Sequence, residues 1–247
     1  ITAFSSTAAS YTLAEASSAP TVDTPTTSSL GVTISEGSNP STTTYKIQET
    51  GGSLCVQADG TLGAGEVWQT AANWGTGGKK IVTGLSVNAQ YTFVTTGRNV
   101  ELVPTAASSS TAAYTAANAP GVPTVDGAAT TTLNVTIDTN SNPSTTEYYI
   151  YEVNTAQYVQ ADGTLSGVVV WEPIGISADQ WGSTSGTAGI VVVSGLSVNT
   201  TYDFKIKARN GDDVETAYGT SASLYTLANV PISLNVSQNS AASSSQI

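Results

Sequence analysis

The sequence predicts an all-β protein built as two tandem domains, and three observations carry that prediction. Val193 to Asn210, VSGLSVNTTYDFKIKARN, recurs upstream as VTGLSVNAQYTFVTTGRN, Val82 to Asn99, so the 247 residues hold a repeated unit. In each copy inward positions alternate with outward ones, Tyr91, Phe93, Thr95 in the first and Tyr202, Phe204, Ile206, Ala208 in the second. That is the period of a half-buried strand. Hydrophobic residues make up 39% of the chain and charged residues only 10%, with Ser and Thr filling the polar positions. Such a balance belongs to a β-rich globular chain rather than a disordered one.

Taken in order, the chain announces its own boundaries. Tyr11-Thr12-Leu13-Ala14 returns as Tyr114-Thr115-Ala116-Ala117 and as Tyr225-Thr226-Leu227-Ala228, and prolines follow each time: Pro20, then Pro120 and Pro123, then Pro231. This reads as a last strand running through a short linker into the next unit, where proline at an edge withholds a donor that would invite pairing. Residues 1–18 are then the last strand of a preceding repeat, or a donor strand, plus linker. Residues 19–116 and 117–227 are two complete repeats, and 228–247 are a linker and the start of a further repeat or a pairing strand.

The first halves of the two repeats align at a constant offset. Leu30, Val32 and Ile34 match Leu133, Val135 and Ile137, the inward side of one strand. The turn Asn39-Pro40-Ser41-Thr42-Thr43 matches Asn142-Pro143-Ser144-Thr145-Thr146, with proline fixing φ and asparagine bonding nearby backbone. Tyr45 and Ile47 then match Tyr148 and Ile150 as inward residues of the next strand. Gln57-Ala58-Asp59-Gly60-Thr61-Leu62 is repeated letter for letter as Gln160 to Leu165, predicting a further strand closed by an Asp-Gly turn. Beyond Trp68 and Trp171 the second repeat carries insertions, which belong in surface loops. The stretch from Ser53 to Lys80 leaves room for an extra hairpin.

The Gly-Leu turn followed by Tyr-x-Phe resembles the corner and following strand of fibronectin type III domains, which are immunoglobulin-like sandwiches. Leu85/Tyr91 and Leu196/Tyr202 match the residues of its tyrosine corner. The resemblance implies that each ring packs under the turn and that its hydroxyl bonds upstream backbone. It spans both repeats, with one departure: the family's core tryptophan position is held here by Val32/Ile34 and Val135/Ile137. Trp68 and Trp171 are therefore expected to fill that core volume from another strand. The Ser/Thr/Ala/Gly-rich style also resembles secreted bacterial surface proteins and implies an extracellular or cell-surface location.

Few chemistries fit this inventory. The chain has no histidine, and Cys55 is its only cysteine, so no disulfide framework or Cys/His zinc site can form within it. Cys55, in the alternation SLCVQ, is expected as a buried packing thiol. A net charge of −11 with seven basic residues argues against nucleic acid and anionic membrane as partners. No run of 18 apolar residues predicts a membrane span. Asp59 and Asp162 are explained by their turns, and Glu66 and Glu172, beside tryptophans, are the weak candidates for sugar hydrolysis. No catalytic residues, no metal site and no cofactor are expected. Asn210-Gly211-Asp212-Asp213 clusters oxygens in a loop where calcium could sit, but lacks the spacing of a calcium loop and is explained as a turn.

Two functions follow as expectations. The first is a non-enzymatic structural segment of an extracellular filament or cell-surface stalk, whose partners are copies of itself or adjacent repeats, with strand exchange between molecules as a route to polymers. The second is a carbohydrate-binding or adhesion module accessory to a secreted enzyme, with Trp74 and Trp181 stacking on a polysaccharide, although a core or loop-anchoring role explains these two tryptophans better. Sequons at Asn134, Asn199 and Asn235 mark possible glycosylation.

Overall fold

A computed structural model of the chain describes residues 10–232. The first sandwich is built from β1 (Thr21–Asp23), β2 (Ser29–Thr33), β3 (Thr44–Glu49), β4 (Leu54–Val56), β5 (Leu62–Gly63), β6 (Gln69–Thr70), the one-turn α1 (Ala71–Trp74), β7 (Lys79–Thr83), β8 (Gln90–Arg98) and β9 (Thr111–Tyr114). The second repeats it with β10 (Thr124–Asp126), β11 (Leu133–Thr136), β12 (Glu147–Glu152), β13 (Gln157–Val159), β14 (Leu165–Ser166), β15 (Glu172–Pro173), β16 (Ile190–Val193), β17 (Thr201–Arg209) and β18 (Ala222–Tyr225). Residues 10–20 carry no strand. The expectation of a final strand in 1–18 otherwise falls on residues outside those described, as does most of the expected pairing segment in 228–247.

In each domain a three-stranded sheet packs against a larger one. The orders are β1-β2-β7 against β5-β4-β3-β8-β9, and β10-β11-β16 against β14-β13-β12-β17-β18, with β6 and β15 adding to the starts of β3 and β12. All pairings between these strands are antiparallel, and the central registers correspond: Tyr45 pairs with Gly97 and Ile47 with Thr95, as Tyr148 pairs with Ala208 and Ile150 with Ile206.

The alternation dictates what is buried. Leu30, Val32, Ile34, Tyr45, Ile47, Val56, Val82 and Phe93 form one core, and Leu133, Val135, Ile137, Tyr148, Ile150, Val159, Val191, Val193, Phe204 and Ile206 the other. Each such side chain contributes about 1.5–3 kcal/mol by leaving water. The expected extra hairpin is β4-β5, and the repeated Gln-Ala-Asp-Gly-Thr motif forms its turn. There Asp59 Oδ1 accepts from the Thr61 N–H at 2.9 Å and its hydroxyl at 2.8 Å, while Gly60 takes φ 98°. The Thr83 N–H donates to the Gly60 carbonyl at 2.9 Å, so this turn ties one sheet to the other. A side chain at Gly60 would meet the Ile81 carbonyl at 2.4 Å, which is why the position is glycine.

Candidate functional site

Of the two tryptophan pairs, Trp74 and Trp181 enter the cores and Trp68 and Trp171 do not. Trp74 and Trp181, the candidate saccharide contacts that a core or loop-anchoring role explains better, are 2% and 0% exposed. Their indole Nε1 atoms donate to the carbonyls of Tyr45 (2.9 Å) and Tyr148 (2.8 Å). An indole enclosed on both faces offers no surface to a sugar, so these two residues are the core tryptophans. In the first domain the single turn α1, capped by Thr70 Oγ1 on the Asn73 N–H, swings Trp74 inward. Trp68 and Trp171, expected in the core, lie on the outward face of the larger sheet instead. There Arg98 stacks over Trp68 at 4.3 Å and Arg209 over Trp171 at 4.8 Å.

Tyr91 Oη accepts from the Ser86 N–H at 2.9 Å and Tyr202 Oη from the Ser197 N–H at 2.8 Å, while Leu85 and Leu196 are buried beside them. Cys55 is buried, and burial raises its thiol pKa. Asn134 lies half-buried in β11, Asn199 is exposed in a loop, and Asn235 lies outside the described residues. Among the described residues no three His, Cys, Asp or Glu side chains cluster as metal ligands.

Two buried glutamates escaped notice in the sequence. Glu152 accepts from the N–H groups of Asn154, Thr155 and Asp203, and Glu49 from those of Gly51 and Gly52. Each carboxylate is consumed in shaping the turn after its strand. Glu66 is likewise engaged, bonding Lys46 at 2.7 Å and Trp68 Nε1 at 3.1 Å, and its pKa is lowered chiefly by the lysine.

The loop considered for calcium joins the two domains. Asn210 Oδ1 accepts from the N–H groups of Asp212 and Val214, and its Nδ2 donates to the Thr115 carbonyl at 3.1 Å. Asp212 accepts from the Tyr114 N–H at 2.7 Å, and Asp213 pairs with Arg209 at 3.0 Å. From the first domain Asn88, 5% exposed and held at φ 43°, donates to Thr146 Oγ1 at 2.7 Å and accepts from the Gly211 N–H at 3.0 Å. Below it, Asn118 and Asn142 exchange amide bonds of 2.7 and 2.8 Å, Asn118 also donates to the Asn140 carbonyl, and the Gly121 N–H donates to the Asp138 carbonyl. The connection from Thr115 to Gly121 is therefore clasped along its length rather than swivelling.

A second surface belongs to the second domain alone. On the outward face of β12, β13 and β17, Tyr149 packs edge-on to Tyr158, Trp171 and Tyr218 at 5.4, 4.6 and 5.8 Å, with Tyr151 beside Tyr158 at 5.2 Å. Tyr149 Oη donates to Tyr218 Oη at 2.6 Å, and burial together with that bond pushes its pKa above the ordinary phenol value. Lys205, Lys207 and Arg209 line the same face, Lys205 lying 4.1 Å over Tyr218. The outward alternation of Glu147-Tyr148-Tyr149-Ile150-Tyr151 carried the signal, because Tyr148 and Ile150 facing inward leaves Tyr149 and Tyr151 outward.

No family model and no curated protein matches the chain. Among solved structures it is similar to a segment of two fibronectin type III domains from chicken tenascin, at 13% identity and TM-score 0.44, over 86% of this chain and 100% of that one. It is also similar to the FN1–FN3 domains of chicken CNTN1, at 15% identity and TM-score 0.35, over 88% of this chain and 68% of that one. The two strand orders and the tyrosine corners make the fold a tandem pair of fibronectin type III-like sandwiches.

Proposed function

We propose that the chain is a non-enzymatic spacer, a segment of an extracellular filament or cell-surface stalk in which consecutive sandwiches are held at a fixed angle. The observation that carries this reading is the interdomain clasp: Asn88, Asn118, Asn142, Asn210 and Asp212 spend their polar groups on the joint. Its connecting chain has prolines at 120 and 123 and no glycine-serine tract, which limits swivel. The buried carboxylates are saturated by backbone donors, a structural employment rather than a catalytic one. Residual dipolar couplings test the spacer directly. Alignment tensors of equal magnitude and orientation in the two sandwiches are expected, and unequal tensors would refute a fixed angle.

The aromatic face supports a second reading, adhesion to a polysaccharide, moved from the buried tryptophans to Tyr151, Tyr158 and Tyr218. Half-exposed rings beside Lys205 suit a sugar face bearing acidic substituents. Retarded migration of the chain in a gel containing an acidic polysaccharide, abolished by Tyr218→Ala, is the expected result; equal retardation of the variant would remove this face from consideration.

A further inference from the structure

The joint is drawn twice in this molecule, once complete and once, among the described residues, with an open seat. Tyr11 to Glu15 lies against the first domain with the bonds that Tyr114 to Asn118 makes to the second. Asn99 Nδ2 donates to the Thr12 carbonyl at 3.1 Å, as Asn210 does to Thr115. The Tyr11 N–H donates to Glu101, as the Tyr114 N–H does to Asp212. Glu15 and Asn39 exchange bonds of 2.8 and 2.9 Å, as Asn118 and Asn142 do.

One part of the joint is not repeated. In the complete joint Asn88 fills the seat between Thr146 and the Gly211 N–H. The counterparts of these two residues, Thr43 and Val100, line a cavity of about 230 Å³ together with Tyr11, Thr12, Leu13 and Asn99. Around it Tyr11, Leu13 and Val100 are exposed, Leu13 by 72%, whereas Thr115, the counterpart of Thr12, is 0% exposed in the filled joint.

The matching plug stands at the opposite pole. Asn199 is the counterpart of Asn88, takes φ 51° against 43°, and its N–H donates to the Leu227 carbonyl at 3.1 Å as that of Asn88 does to Ala116 at 3.2 Å. Unlike Asn88 it is exposed, with Tyr225 and Leu227 exposed beside it. Two asparagines of matching φ and matching backbone bond present the same amide, one seated and one in solvent.

We infer that the cavity bounded by Thr43 and Val100 is a socket for the Asn199 loop of a second copy of this chain, giving head-to-tail association through a copy of the internal joint. Asn199 then donates to Thr43 Oγ1 and accepts from the Val100 N–H. Tyr11 to Ala14 and Tyr225 to Ala228 are the same four residues, so one of them forms the wall of the joint and the other is released. This is a heterologous contact, which propagates into a filament when its rotation does not close. A glycan on Asn199 would block it.

The inference rests on the spacer reading, yet the two fail separately, because the internal angle is read within one chain and association between chains. Sedimentation velocity of the full chain at concentrations up to about 1 mM, the effective concentration that a short tether supplies, tests it. The sedimentation coefficient should rise with concentration. Asn199→Gly, which keeps the positive φ and removes both bonds of the amide, should weaken association about 5- to 150-fold, and Thr43→Val, which keeps shape and removes one bond, about 2- to 10-fold. Val100→Gly should strengthen it, because a side chain at Gly211 would overlap the Tyr114 ring at 2.4 Å and glycine lets the corresponding tyrosine lie down. A chain that stays monomeric throughout, or association indifferent to both Asn199→Gly and Thr43→Val, overturns the proposal.

Discussion

Replacing Asn88 with glycine isolates the joint from the domains it connects. The side chain makes no bond within its own sandwich among the described residues; its two bonds run to Thr146 Oγ1 and from the Gly211 N–H. Its backbone sits at φ 43°, which glycine adopts without strain. Each neutral hydrogen bond contributes about 0.5–1.5 kcal/mol net, so the pair supplies about 1–3 kcal/mol to keeping the joint closed. Opening should therefore become roughly 5- to 150-fold more populated. Amide hydrogen exchange reads this at one atom, since the Gly211 N–H loses its acceptor and should exchange faster by about that factor. The amides of Tyr45 and Ile150, deep in the two central strands, should keep their protection. Unchanged exchange at Gly211 would mean that the two bonds contribute nothing to closure and do not hold the angle between the domains.

Three further outcomes follow from the same contacts. Trp181→Ala should cost about 3–5 kcal/mol, by the cavity and the orphaned Tyr148 carbonyl, while Trp171→Ala on the outward face should cost much less; equal losses by chemical denaturation would refute this placement of the two tryptophans. Tyr202→Phe should cost about 1–2 kcal/mol because it strands the Ser197 N–H, and an unchanged melting temperature would show that the corner bond is dispensable. Stability should be nearly level between about pH 6 and 8, because the chain has no histidine. On the acid side, Asp23 (bonded by Lys79), Asp59 and Asp162 (each by a threonine N–H) and Glu66 (by Lys46) have lowered pKa values. A lowered carboxyl stabilises the fold above its unfolded value of 3.8 or 4.5, and that contribution is lost as pH falls through the folded value. Glu172, raised by burial, acts in the opposite sense, so a melting temperature that falls below about pH 4 is expected, and one that rises there would contradict the balance of four against one.

What the sequence determined by itself was whatever depends on period and repetition. Alternation placed Leu30, Val32, Tyr45, Ile47 and Phe93 inward because a strand offers each residue only two faces. Repetition located two domains, and the Asp-Gly and Gly-Leu turns named their own geometry through the positive φ they demand. Only the tertiary structure decided which tryptophan entered the core. Trp68 and Trp74 are separated by a short strand and a single helical turn, and neither has a period long enough to fix a face. The volume between the sheets accepted Trp74, whose Nε1 finds the Tyr45 carbonyl, and left Trp68 to stack under Arg98. The joint was equally hidden, since Asn88 and Asn210 read as loop asparagines until folding brought residues more than a hundred positions apart within 3.0 Å of one another, Asn88 to Gly211. A local pattern states which face a residue prefers; only the closed structure supplies the partner that a polar side chain on a loop will meet.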